Sequence, residues 1–287
     1  MTEPDRPTTS FHTWRADLAR ALAVWRRTPA LPLTAVAIAA AAFLPNLFTP
    51  SPRGCGMSGH PACTSGSEGA FILLGLLSLP VTLFGIGFFG AERWWYSQVD
   101  AGVVPPAGLL WRVGWSYFWR FVRLGLVTLV LVIPVVPFLV AARDSTTRLA
   151  IALGVWFFAI DIAYTFVTPA LAFTTDSAWS ALRIGVTTLN RLWPRDWVYA
   201  IVPPMALTLL TRLVPHAFGP RWATAVAGAA AQLLTVLFAG AAALLYIREI
   251  DPQAPERLRH GPQGGRSQSN HALDRWRADE PPWPGSQ

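Results

Sequence analysis

Few side chains in this sequence combine the type and the setting needed for chemistry, and Asp161 stands out among them. It sits in FFAIDIAYTF, residues 157–166, a run otherwise apolar enough to cross a bilayer. A charged aspartate at mid-bilayer costs about 3 kcal/mol on insertion scales. The residue must therefore be protonated, paired or facing water. Counted from Leu149, it lies about 18 Å along a helix. Tyr164 and Thr165 follow at i+3 and i+4, on the same helical face. Thr82, Thr208 and Gln232 fall at similar depth in other apolar runs, and no arginine does. Three roles fit this setting. One is a neutral acid hydrogen-bonded to Gln232, Thr208 or the neighbouring hydroxyls, which would specify the bundle. The second is a proton or cation relay in a transporter, and the third is a contact to a partner subunit.

Other chemistry is sparse. Cys55 and Cys63 both lie in SPRGCGMSGHPACTSGSEG, residues 51–69. A disulfide is expected if this loop faces an oxidising compartment, with free thiols as the alternative. His60 between them raises a metal site, but two cysteines and one histidine leave the ligand set incomplete. Neither a bound metal nor a cofactor is expected. Serine–histidine pairs, paired carboxylates, HExxH, CxxC and phosphate-cradling glycine loops do not occur in a catalytic setting. His216 is the one histidine beside an apolar run, and it has no evident partner. The chain is not expected to be an enzyme.

The elements that must hold Asp161 are apolar helices. Of 287 residues, 53% are hydrophobic and 14% are charged, where a soluble domain has about a quarter charged. About 20 apolar residues span a bilayer core. Six runs are expected to do so: 30–48, 70–95, 121–142, 149–174, 197–217 and 222–248. The fold class expected is therefore an all-α integral membrane bundle. Pro80, Pro134, Pro137, Pro169, Pro203 and Pro204 predict kinked, packed spans. Gly87, Gly90, Ala227, Ala231, Gly240 and Ala243 predict close helix contact. All 23 basic residues are arginine. Only Arg53, Arg143, Arg148, Arg212 and Arg221 fall on one side of the expected spans, and the other 18 fall on the opposite side. That bias is expected to place both termini on the cytoplasmic side of a plasma membrane. The first 28 residues are polar and arginine-rich, so the run 30–48 is expected to be a retained anchor rather than a cleaved leader. The formal charge of +7 flanks apolar segments, which argues against nucleic acid as a partner.

The inner segments repeat a pattern. Phe11, Trp14, Leu18, Leu22 and Trp25 are spaced as one helical face, as are Trp179, Leu182, Val186, Leu189 and Trp193. In GLLWRVGWSYFWRFVR, Arg112, Ser116, Arg120 and Arg123 form a polar stripe beside Trp111, Trp115 and Trp119. The chain thus divides into three units of one interfacial helix and a two-span hairpin, over about 10–96, 103–174 and 176–248. Tryptophan and arginine on such helices predict attachment to the inner leaflet. Arg112, Arg120, Arg123, Arg183 and Arg191, with Trp111, Trp115, Trp119 and Trp193, are the candidates for contact with anionic lipid or a protein partner. Residues 249–287 are rich in proline, glycine, serine and charge, and are expected to be a disordered cytoplasmic tail that offers a partner contact. The functional expectation is a non-enzymatic accessory or scaffold protein. The alternative is a transporter or permease component with Asp161 in a proton or substrate path.

The stretch YTFVTPALAFTTDSAWSALRIGVTTLNRLWPRDW, residues 164–197, resembles the repeated element of a group of bacterial six-span proteins. That group includes the YciC-like family and the membrane domain associated with glycerophosphodiester phosphodiesterases. The matching positions are Pro169, Asp176, Ala178, Ala181, Arg183, Leu189, Arg191 and Trp197. The resemblance implies a six-span architecture with inner interfacial helices. The phosphodiesterase barrel and its HRG-type signature are absent from this sequence.

Overall fold

The computed structural model describes residues 12–47, 67–133, 136–137, 146–193, 197–218 and 220–259. Among them the fold is all-α, with no strand. The helices are α1 (His12–Arg27), α2 (Ala30–Leu47), α3 (Ser67–Asp100), α4 (Ala107–Val132), α5 (Thr146–Phe173), α6 (Ala178–Leu192), α7 (Trp197–Phe218), α8 (Pro220–Glu249) and the short α9 (Ala254–Arg257). Two stretches, Gly154–Phe173 and Val226–Glu249, are long and apolar enough to cross a membrane, while Ala30–Ala42 and Trp197–Ala206 are apolar but shorter. Six were expected. The other four runs each include residues whose side chains lie outside those described.

Proline sets where the units break. Pro29 separates α1 from α2, and Trp193, which precedes Pro194, leaves the helix at φ −61°, ψ 134°, the extended region that a following proline imposes. No proline occurs between residues 107 and 133. There the expected interfacial helix does not stand apart: α4 runs unbroken from its Trp111–Trp119 stretch into the apolar one.

Helix α8 packs against α1, α2, α3, α5 and α7, and α3 packs along α4. Small residues permit these approaches. A Cβ on Gly87 or Gly90 would collide with Gly114 or the Tyr117 ring of α4, and one on Gly240 of α8 with the Tyr96 ring. Ala227, Ala231 and Ala243 are buried.

One end of the bundle is closed by polar pairs. Asp17 of α1 is wholly buried, accepts from Tyr199 Oη at 2.8 Å and pairs with Arg248 at 2.7 Å. The buried face of α1 is therefore Asp17, Ala21 and Val24, and Leu22, on the apolar stripe expected to meet the inner leaflet, is exposed. The chain past Glu249 is also part of this closure. Ala254 and Leu258 are buried, and Arg257 pairs with Asp251 at 2.5 Å. Trp94 Nε1 donates to the Leu258 carbonyl at 2.9 Å, and Gln98 donates to the Pro255 carbonyl. Residues 254–258, expected to belong to a disordered tail, are thus packed onto the bundle. Residues 260–287 lie outside those described.

Candidate functional site

Four helices present faces of helical spacing to a common space. On α5 the face is Asp161, Tyr164, Thr165 and Thr168, and on α8 it is Thr235, Phe238, Ala239 and Ala242. Each set runs i, i+3, i+4, i+7. Phe89 and Arg93 come from α3, one turn apart, and Tyr199, Ala200, Pro203 and Pro204 from α7. With Phe121 and Gly125 of α4 these faces line a half-open cavity of about 390 Å³, within the size of small-molecule sites. It runs from Tyr199, whose hydroxyl reaches Asp17 of α1, to Asp161. Asp161 is 12 residues before the end of α5, about 18 Å along the helix.

The polar atoms of the cavity are unevenly committed. The Tyr164 hydroxyl pairs with Thr128 Oγ1. Thr165 and Thr168 donate to the carbonyls of Asp161 and Tyr164 at 3.3 and 3.0 Å. Arg93 Nη1 donates to Glu92 Oε1 at 2.5 Å and to the Phe89 carbonyl, while Arg93 Nε and Glu92 Oε2 are buried without a partner. The acceptors are less used. Pro169, Pro203 and Pro204 have no N–H, so the carbonyls four residues earlier lose their helical donors. Those carbonyls belong to Thr165, Tyr199 and Ala200, all lining residues. The Asp161 carboxylate is exposed to the cavity. Among the described residues it makes no hydrogen bond to Gln232, Tyr164 or Thr165, which departs from the bonded acid expected, because the neighbouring hydroxyls turn back onto their own helix. The Thr208 side chain lies outside those described. Thr82 bonds the Ser78 carbonyl on its own helix at 3.0 Å and does not line the cavity. Arg93, expected to belong to an inner loop, shares the cavity with Asp161.

The second candidate surface is aromatic. Trp111, Trp115, Trp119, Trp179 and Trp193 are all exposed. On α6 the packed face is the small one, Ala178, Ala181, Ile184, Gly185 and Thr188. The apolar stripe that includes Trp179, Val186 and Trp193 therefore faces outward. Trp111 stacks on Phe84 with ring centres 4.3 Å apart. Arg112, Arg123, Arg183 and Arg191 are exposed. Arg120 is a structural residue instead of an open lipid contact: it pairs with Asp176 at 2.8 Å and covers the Tyr117 ring. Tyr117 donates to the Ala172 carbonyl at 2.9 Å, and burial pushes its phenol upward. Ser177 caps α6 by accepting from Ser180 N.

Comparison with protein-family models, curated proteins and solved structures gives no match. No group of three or more His, Cys, Asp or Glu among the described residues is placed to hold a metal. Cys55, His60 and Cys63 lie outside those residues.

Proposed function

We propose that this chain is a six-span bacterial membrane protein of three interfacial-helix and hairpin units, with both termini cytoplasmic, and that it acts as a substrate-binding transporter or permease component. The observation that carries this is the cavity that joins Arg93 to Asp161. An intramembrane carboxylate without a hydrogen-bond partner among the described residues, beside a substrate-sized space, is the arrangement in which an acidic residue takes part in a path. In the proposed orientation the cavity lies in the inner-leaflet half of the bundle. No catalytic step belongs to this reading.

The test is thiol accessibility. Thr165→Cys and Thr235→Cys, each in a Cys55→Ser/Cys63→Ser background, should react with a membrane-impermeant thiol reagent in sealed inverted vesicles. Val155→Cys, on an exposed part of α5 away from the cavity, should stay inert. If both cavity cysteines are as inert as Val155→Cys, no aqueous path reaches the site and the transporter reading fails.

A second reading, an accessory scaffold with a lipid-facing inner surface, is favoured by the exposed tryptophans on α4 and α6. Arg112→Glu with Arg123→Glu tests it without disturbing the Arg120–Asp176 pair. Unchanged co-purification of anionic lipid in that double variant would exclude this role.

A further inference from the structure

We infer that the cavity takes an organic monocation, held by Asp161, the proline-freed carbonyls and the surrounding aromatic rings. This rests on the proposed reading of the cavity as a substrate site.

Charge is the first ground. Arg93 is already paired with Glu92 at 2.5 Å, so its guanidinium is engaged away from Asp161. Among the described lining residues Asp161 is the remaining carboxyl, and it is in no ion pair with any of them. A monocation brings the sum to zero. A monoanion would leave two uncompensated negative charges in a low-dielectric space, which is strongly disfavoured.

Hydrogen-bond supply is the second and independent ground. The hydroxyl protons of Tyr164, Thr165, Thr168 and Tyr199 are spent on protein acceptors or shared with Thr128. Pro169, Pro203 and Pro204 leave carbonyls of three lining residues without helical donors. A wall with surplus acceptors selects a ligand that donates or carries positive charge. Arg93 Nε, a donor without a partner, and the Thr235 hydroxyl of the same wall are the exceptions, and they suit neutral acceptor oxygens on the same ligand. Phe89, Phe121 and Phe238 supply the apolar wall, and their faces favour a delocalised or alkylated cation.

The experiment uses two ions of one shape and opposite charge, tetraphenylphosphonium and tetraphenylborate. Each is equilibrated by dialysis with the detergent-solubilised full chain, against empty micelles. Tetraphenylphosphonium should bind saturably and tetraphenylborate should not. Asp161→Asn should weaken the cation by about tenfold, a charge-pair loss reduced by the exposure of the carboxylate, with an unchanged unfolding transition. Gly125→Trp, which places an indole in the cavity, should abolish binding.

Loss of less than threefold in Asp161→Asn overturns the inference, as does the absence of saturable tetraphenylphosphonium binding. Saturable tetraphenylborate binding blocked by Gly125→Trp overturns the ligand class alone and leaves the cavity reading intact. Inert cavity cysteines, together with cation binding indifferent to Gly125→Trp, would defeat the cavity reading itself.

Discussion

Asp17→Ala should loosen the whole closed end of the bundle. The carboxylate is buried, holds Arg248 through bonds of 2.7 and 3.3 Å, and accepts from Tyr199 at 2.8 Å. Breaking a fully buried ion pair costs about 3–5 kcal/mol. The Arg248 side chain is 39% exposed, so it regains water and the ion-pair part falls to about 1–2 kcal/mol. The Tyr199 hydroxyl is left buried without its acceptor, which adds about 1–3 kcal/mol. The expected total is about 3 kcal/mol. Asp17→Asn keeps an acceptor for Tyr199 and should cost about half of that. The assay is reversible denaturation of the detergent-solubilised protein, with Arg248→Ala and the double variant completing a cycle. A coupling energy of about 1 kcal/mol or more is expected for directly bonded partners. A loss below about 1 kcal/mol for Asp17→Ala, together with additive behaviour in the cycle, would refute docking of α1 through this carboxylate.

Two further outcomes follow from the packing. Gly240→Ala should destabilise by about 1–3 kcal/mol, because its Cβ meets the Tyr96 ring. Gly108→Ala, with nothing within 4 Å, should be neutral or stabilising by up to about 1 kcal/mol. Equal thermal shifts for the two would contradict the close contact of α8 with α3. Truncation after residue 250 should destabilise the protein, since Leu258 and Ala254 are buried against the bundle and Trp94 bonds the Leu258 carbonyl. Truncation after residue 260 should leave the unfolding transition unchanged, and identical transitions for the two truncations would show that α9 does not contribute to the closure.

The helical class was legible in the sequence because it depends on local chemistry. Apolar runs, arginine between them and tryptophans at helical spacing report period and composition, which neighbouring residues determine. Proline placement also decides locally which amphipathic stretch stands apart, which is why α4 is continuous while α1 and α6 are separate helices.

Asp161, Tyr164 and Thr165 were legible as one polar face for the same reason, but their surroundings were not. Arg93 had no mark in the sequence beyond lying near a charged loop, yet it shares the cavity with Asp161. Gln232 and Thr82 matched Asp161 in depth and still do not line the cavity. Depth is a one-dimensional coordinate, whereas contact depends on how each helix is rotated. Rotation follows packing: Gly185 against Val167 turns the small face of α6 inward, and its tryptophans outward.

The sequence by itself determined the all-α class, the apolar runs and the helical faces, since these follow from composition and the 3.6-residue period. Tertiary structure alone decided which faces are buried. It joined Asp17 to Tyr199 and Arg248, 182 and 231 residues away, folded residues 251–258 onto α3, and opened the cavity at Asp161. Partners that far apart leave no periodic trace in a chain, because their pairing depends on the packing of every helix between them.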